Sequence, residues 1–165
     1  MKIKPIHAKQ QLIKTYMSQD RFKLYASVHL LFMKENEVLL SLRKNITSDG
    51  QYSVVAGHLD DGETISEAFI REAKEEVGVE VKPKDLQINT VCHSYSTHNN
   101  RQFIQFYAIC DKWSGEFKNK EPEKCGDLQF FPINQLPENI VPYIREAIGK
   151  VLDKVTYYEW GWEQK

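Results

Sequence analysis

The amino-acid sequence predicts a single domain of the α/β class. Several runs rich in β-branched and aromatic residues are bounded by turn-forming residues, a pattern typical of strands. A segment in the middle of the chain and another near its end instead repeat their apolar residues at helical spacing. With 165 residues, 41% of them hydrophobic, the chain can bury one core, and a second domain would be cramped. We therefore expect residues 1–165 to form one domain.

The first half of the chain predicts three strands. Lys23–Met33 is rich in β-formers and predicts a central strand, and Glu37–Leu42 follows after a short turn, so the two are expected to form a hairpin. After a further turn, Tyr52–Val55 predicts a short strand. Residues 1–20 carry only a weak helical pattern without a clear cap, and we treat them as an N-terminal embellishment.

A helix follows, and both of its ends are marked in the sequence. Thr64 and Glu67 have the spacing of a capping box, in which a hydroxyl and a carboxylate satisfy two N–H groups of the first turn. Gly78 can adopt the left-handed conformation that ends a helix, so Ala68–Val77 is expected to form its body. The apolar positions that share one face are Ile65, Phe69, Ile70, Ala73 and Val77. That face should point into the core.

The second half of the chain predicts two longer strands and a closing helix. Leu86–Ser96 and Gln102–Asp111 look like an antiparallel pair joined by a polar loop, and the second strand alternates so that one face can line a pocket. A helix is expected over residues 142–155. The aromatic tail Tyr157–Trp162 should either close the core or contact a second copy, and we favour internal packing.

Carboxylates dominate the segment from Gly57 to Val79. They are Asp60, Asp61, Glu63, Glu67, Glu72, Glu75 and Glu76. Glu72, Glu75 and Glu76 are spaced i, i+3 and i+4, so they meet on one side of the helix, and Glu76 falls at the edge of the apolar stripe. Like charges in partly desolvated surroundings are costly without a counter-charge, and one arginine cannot neutralise three carboxylates. A hard divalent cation is the remaining candidate, and Mg²⁺ is the usual one where phosphates share the coordination. The alternative is an acidic helix that only aids solubility.

This segment resembles the Nudix box, which reads Gly, five residues, Glu, seven residues, then Arg-Glu-aliphatic-x-Glu-Glu-x-Gly-aliphatic. The matching residues are Gly57, Glu63, Arg71, Glu72, Ala73, Glu75, Glu76, Gly78 and Val79. The resemblance is to the Nudix hydrolase superfamily, in particular its MutT-like branch of nucleoside triphosphate pyrophosphohydrolases. It implies an α/β/α sandwich with a mixed, curved sheet between helices. It also implies Mg²⁺ as cofactor, with Mn²⁺ as a substitute.

The resemblance also assigns roles to residues. Glu72, Glu75 and Glu76 are the expected metal ligands, and one of them or Glu121 is the general base. The carbonyl of Ala56 and the side chain of Glu121 complete the expected metal set. Glu116 and Glu123 are rivals of Glu121 in the loop that carries it. Among the catalytic residues, Glu63 and Arg71 are expected to brace the loop and the helix.

Four residues are expected to bind substrate. Arg43 matches a phosphate-contacting arginine of MutT-like enzymes, although it can equally be a solvated loop cation. Tyr95 and Arg101 lie at the second hairpin and can reach a base or sugar, against the alternative of ordinary loop polarity. Phe130 stands where relatives carry a tryptophan, so it is the expected base-stacking residue.

The expected reaction is Mg²⁺-dependent hydrolysis of a phosphoanhydride in a nucleoside diphosphate linked to another moiety. A nucleoside triphosphate, oxidised or not, giving the monophosphate and pyrophosphate is the favoured substrate. The alternatives within the fold are a nucleotide sugar, a dinucleoside polyphosphate or an RNA cap. A non-catalytic nucleotide sensor is an alternative of another class, although such relatives typically lose box glutamates and this chain keeps them.

The composition of the chain disfavours some classes of binding partner. The formal net charge of -1 gives no general field for nucleic acid or an anionic membrane, so we expect a small-molecule nucleotide, no stable nucleic acid complex and no membrane. Cys92, Cys110 and Cys125 lack zinc-ligand spacing and are expected to be buried or idle thiols. The N-terminus has no signal-peptide core, so a cytoplasmic location is expected. The expected oligomeric state is a monomer or a homodimer.

Overall fold

The computed structural model describes residues 22–164, so the predicted N-terminal embellishment lies outside the described residues. The elements in chain order are β1 (Tyr25–Lys34), β2 (Glu37–Arg43), β3 (Tyr52–Ser53), β4 (Val55–His58), α1 (Ile65–Val77), β5 (Leu86–Ser96), β6 (Arg101–Cys110), β7 (Cys125–Pro132), α2 (Pro142–Leu152) and β8 (Tyr157–Trp160). The strands form one mixed sheet in the order β3-β2-β1-β6-β5-β8, with β4 paired to β1 and β7 paired to β2.

The predicted first hairpin is present, but its two strands soon separate. β1 and β2 pair only beside the turn, at Met33–Val38 and Lys34–Glu37. Beyond that point β1 pairs with β4 on one side and runs parallel to β6 on the other, while β2 pairs with β7. The sheet therefore curves between two halves, as the resemblance implied.

The two helices cover opposite faces of the sheet. Along β1, Val28, Leu30 and Phe32 belong to the core cluster under α1, whereas Leu31 and Met33 belong to the cluster under α2. This alternation follows from the two-residue period of a strand. It produces the predicted α/β/α sandwich.

The predicted caps of α1 are confirmed. The Thr64 hydroxyl accepts a hydrogen bond from the Glu67 N–H, and the Glu67 carboxylate accepts one from the Thr64 N–H. Gly78 ends the helix with φ of 74°. The closing helix is shorter than predicted, because α2 ends at Leu152 and Lys154 takes a positive φ of 57°.

Two strands were not predicted. β7 lies in a segment to which the sequence analysis assigned no secondary structure, and its register against β2, from Glu37–Pro132 to Arg43–Cys125, is a contact between distant parts of the chain. β8 falls in the aromatic tail and pairs with β5, which confirms internal packing of that tail.

The three cysteines are free, and Cys92 and Cys110 are buried. Among residues 22–164, neither helix has the length and apolar character to cross a membrane.

Candidate active site

Arg71 organises the acidic face of α1. Its guanidinium forms a fork on Glu63, with Nε 3.0 Å from Oε2 and Nη2 2.8 Å from Oε1. Nη1 donates to Glu72 Oε1 at 2.5 Å and to Glu75 Oε2 at 3.1 Å, and Nη2 also donates to the His58 carbonyl at 3.0 Å. Bidentate arginine–carboxylate pairs have a fixed planar geometry. Arg71 therefore ties the loop before the helix to the glutamates on the helix.

Glu63 is held in its charged form by this contact. Hydrogen bonds from Arg71, and then from the Asp60 N–H at 2.7 Å, lower the pKa of Glu63 to about 2. The bracing role predicted for Glu63 and Arg71 agrees with this arrangement. The fork fixes the loop against α1, and the hydrogen bond from Arg71 Nη2 to the His58 carbonyl links α1 to the end of β4.

Glu72 is the most buried carboxylate of the cluster. Only 8% of its surface is exposed, and its carboxylate lies directly against Gly57. A Cβ atom at position 57 would stand 1.7 Å from Glu72 Oε1. Burial raises the pKa of Glu72, and its contact with Arg71 opposes that shift. The glycine of the box is thus required by the space that the Glu72 carboxylate occupies.

Glu76 sits beside Glu72 on the sheet-facing edge of α1. Its Oε2 accepts a hydrogen bond from the Ala56 N–H at 3.4 Å. Burial, and then repulsion from Glu72 and Glu121, raises the pKa of Glu76 to about 8. Three carboxylates from α1 and a distant loop therefore share one neighbourhood, and they lack sufficient positive charge.

The donor set suits a hard divalent cation. It combines the carboxylates of Glu72, Glu76 and Glu121 with the backbone at Ala56, all oxygen ligands of the kind that Mg²⁺ takes. In the described residues no three His, Cys, Asp or Glu side chains are already arranged as a metal site. Arg71 instead engages Glu72, and Lys124 Nζ lies 2.8 Å from Glu121 Oε1. Arg71 and Lys124 partly supply the positive charge that balances these carboxylates. A metal ion can therefore bind only if the two side chains move away from the carboxylate oxygens. Glu75 is the outermost of the predicted ligands, with 56% of its side chain exposed.

A cavity of about 700 Å³ adjoins the acidic cluster. Its lining includes the three helix glutamates, Glu121 and Gly57 on one side, and residues of β5, β6 and the tail on the other. Ligand pockets commonly measure about 300–1,000 Å³. The cavity is therefore large enough for a phosphate-bearing small molecule next to the carboxylates.

Three of the four predicted substrate-binding residues line this cavity, namely Arg43, Tyr95 and Arg101. Arg43 Nε donates to the Thr47 carbonyl at 2.6 Å, and the Arg101 guanidinium stacks on Tyr25 at 4.7 Å. Phe130, the fourth predicted substrate-binding residue, lies elsewhere. Its ring is partly buried and packs with Trp113 and Phe117 against the core cluster under α1, and it does not line the cavity.

Four polar residues form one wall of the cavity, which we call the polar floor, and the sequence analysis did not identify them. Ser27, His29, Ser94 and Gln105 are buried polar residues, and all four line the cavity. A signal was available, because Ser27 and His29 interrupt an otherwise apolar strand on one face. The Ser27 hydroxyl lies 3.2 Å from His29 Nε2, while His29 Nδ1 is buried without a hydrogen-bond partner in the described residues.

His29 should make the protein less stable in mild acid. Burial, and then the charges of His58 and Arg43, lowers the pKa of His29 to about 3 from its ordinary value of 6.5. Its ring packs on Tyr107 and meets Tyr143 edge-on, so the neutral form is retained. Between those two pH values the unfolded chain binds the extra proton, so stability falls as the pH drops below 6.5. At pH 4.5 the loss from this one group should be about 2–3 kcal/mol.

Urea unfolding at pH 7 and pH 4.5 tests this expectation, with His29→Gln as the comparison. Titration of all other groups is shared by the two proteins. The wild type should therefore lose about 2–3 kcal/mol more than the variant on acidification. Equal losses would mean that His29 accepts a proton in the folded state at its ordinary pKa.

Known proteins resemble this chain over most of its length. The NUDIX domain family matches residues 23–151. An ADP-ribose pyrophosphatase from Methanocaldococcus jannaschii is 31% identical over 134 residues, covering 80% of this chain and 77% of that protein. An 8-oxo-dGTP diphosphatase from Proteus vulgaris is 27% identical over 103 residues, covering 62% of this chain and 88% of that protein.

A similar fold is found among solved structures. A MutT NUDIX hydrolase from Burkholderia pseudomallei aligns with a TM-score of 0.73 at 22% identity, over 79% of this chain and 99% of that chain. At this identity the likeness concerns the fold. It agrees with the arrangement of the sheet between α1 and α2.

Proposed function

Because this chain belongs to the NUDIX family of hydrolases, we propose that it cleaves a nucleoside triphosphate to the monophosphate and pyrophosphate in a Mg²⁺-dependent reaction. One observation carries this proposal. The buried carboxylate of Glu72 and the partly buried carboxylate of Glu76, joined by Glu121, adjoin a cavity that is also lined by Arg43 and the polar floor. A carboxylate cluster that lacks counter-charge, next to a nucleotide-sized space, suits a cation shared between protein and phosphates.

The carboxylates of the proposed site hold the metal ion, and one of them also acts as the general base. Glu72, Glu75, Glu76, Glu121 and the carbonyl of Ala56 are the proposed metal-holding groups. When bound, the cation neutralises charge on the phosphoryl oxygens and makes water more acidic. The general base is one of the α1 glutamates or Glu121, and a raised pKa such as that of Glu76 suits a group that takes a proton near neutral pH.

Other residues position the substrate and the base. Arg71 keeps Glu63 and Glu72 in place and is proposed to hold β4 and α1 at a constant separation. Arg43 lies in the cavity lining and can pair with a phosphate, and Arg101 lies at the hairpin side. The polar floor offers hydrogen-bonding groups at the far end of the cavity.

A Mg²⁺-dependent screen tests the proposal. Purified protein is incubated with nucleoside triphosphates, oxidised and unmodified, and with nucleotide sugars, dinucleoside polyphosphates and capped RNA. The expected result is release of pyrophosphate and nucleoside monophosphate from a triphosphate, abolished by chelation and restored by Mg²⁺ or Mn²⁺. Tight nucleotide binding without turnover on every substrate would instead favour a sensor.

A nucleotide sugar is a second candidate substrate. The observation that favours it is the 31% identity to a protein named as an ADP-ribose pyrophosphatase. The two candidates give different products, since a nucleotide sugar yields a monophosphate and a sugar phosphate rather than pyrophosphate. Product analysis by chromatography separates them.

We further propose that the chain acts as one domain, as a monomer or homodimer in the cytoplasm, and light scattering checks its mass in solution.

A further inference from the structure

The chain returns to the cavity after the closing helix. β8 runs parallel to β5, with Val91 opposite Tyr157 and Ser94 opposite Trp160. Trp160 and Gly161 both line the cavity. This segment follows the part of the chain matched by the NUDIX family, which ends at residue 151. We call Trp160, Gly161 and Trp162 the C-terminal strap.

The strap is fixed tightly to β5. Trp162 Nε1 donates to the His93 carbonyl at 3.0 Å, and its ring lies 4.7 Å from that of His93 and 5.6 Å from that of Tyr95. Gly161 has φ of 79°, and a Cβ atom there would stand 2.3 Å from the Tyr95 carbonyl oxygen. Backbone meets backbone at this point, so the strap has little freedom to move away from the hairpin. Trp160 is therefore held at a defined place in the wall.

The cavity has two chemically different parts. The carboxylates and Arg43 suit a cation and phosphates. The remaining lining combines the aromatic residues Tyr95, Tyr143 and Trp160 with the buried polar groups of the floor. Aromatic faces beside fixed hydrogen-bonding groups suit a flat heterocycle with polar edges.

We propose that Trp160 is a specificity-determining residue that stacks on the nucleobase of the substrate, with the C-terminal strap holding it in position. The proposal rests on the proposed function in one respect, namely that the substrate carries a base. Trp160 takes the stacking role that the sequence had suggested for Phe130, which packs against the core cluster under α1 and does not line the cavity. The proposal gives a role to the segment after α2, which lies beyond the residues 23–151 that the family matches.

The test compares Trp160→Leu with Trp160→Phe. Both substitutions keep an apolar side chain to pack against the core cluster under α2, but only phenylalanine keeps a ring. Tyr157→Ala is the matched control, because Tyr157 lies on the same strand, is 53% exposed and does not line the cavity. Thermal unfolding of each variant checks that the fold is retained.

The kinetic readout is the ratio of kcat/KM for ATP, GTP, CTP and UTP to that for ribose 5-triphosphate, which lacks a base. Stacking of one base on an aromatic side chain is worth about 1–3 kcal/mol, so Trp160→Leu should lower the ratio about 5- to 150-fold, mainly through KM. Trp160→Phe should retain most of it, and Tyr157→Ala all of it. An unchanged ratio in Trp160→Leu overturns the proposal.

A binding readout separates this proposal from the proposed function. Equilibrium dialysis without metal measures AMP, GMP, CMP and UMP against ribose 5-phosphate. If no variant or substrate shows turnover, but at least one nucleotide binds the wild type and binds Trp160→Leu at least about fivefold more weakly, the proposed function fails and the stacking role stands. If turnover is normal while both proteins bind every nucleotide and ribose 5-phosphate alike, the stacking role fails and the proposed function stands.

Discussion

Glu76→Gln should lower kcat by about a thousandfold while leaving the fold intact, since loss of a general base or of a charged metal ligand costs about 10²–10⁴ in rate. Glutamine has nearly the same shape, so packing at the edge of α1 is preserved. What changes is the charge, at a carboxylate whose pKa is raised to about 8 by burial and by the charges of Glu72 and Glu121. A carboxyl group whose pKa is raised on folding destabilises the protein above the pH at which it ionises in the unfolded chain, so the glutamine variant, which cannot ionise, should also have a higher melting temperature. Steady-state kinetics at saturating Mg²⁺, with a thermal melt, measures both effects.

Two matched variants complete this experiment. Glu80→Gln removes an exposed carboxylate just beyond α1 and should leave kcat unchanged. Glu75→Gln removes a predicted ligand whose side chain is 56% exposed and already paired with Arg71, and it should also lower kcat by orders of magnitude. Wild-type rates in both Glu75→Gln and Glu76→Gln would remove these glutamates from the proposed chemistry.

Elements with local signals could be predicted from the sequence. The ends of α1 depend on Thr64, Glu67 and Gly78, whose hydrogen bonds and dihedral angles involve residues a few positions apart. The strands β1, β5 and β6 were likewise marked by their own composition. The spacing of the α1 glutamates placed them on one edge for the same reason, because helical geometry alone determines which of them meet.

Features that depend on distant contacts could not be predicted in this way. Phe130 was assigned to the site because it stands where relatives carry a tryptophan. In the structure β7 pairs with β2, and the Phe130 ring packs on Trp113. The fork of Arg71 on Glu63 joins residues eight positions apart in the loop and the helix, so its geometry does not follow from helical spacing. The position of Trp160 in the cavity wall depends on the pairing of β8 with β5. Each outcome required the tertiary structure.

Gly57→Ala tests whether the Glu72 carboxylate must occupy its observed place. The backbone of Gly57 does not have positive φ, so alanine can adopt its conformation. The new methyl group would nevertheless overlap the Glu72 carboxylate, with 1.7 Å to Oε1 and 2.1 Å to Cδ. Those atoms end a flexible side chain, so they can move aside more cheaply than the backbone can. The fold should therefore survive while the carboxylate is displaced by an ångström or more.

Such a displacement should cost about a hundredfold in kcat/KM, since a misplacement of about 1 Å in a catalytic group has that effect. Metal affinity, followed by calorimetric titration with Mn²⁺, should weaken in parallel because Glu72 is a proposed ligand. Gly149→Ala is the control, as its added methyl group meets no atom within 4 Å and lies in α2. It should raise stability by about 0.5–1 kcal/mol and leave turnover unchanged. Full activity in Gly57→Ala would mean that catalysis tolerates a displaced Glu72, which contradicts the role proposed for it.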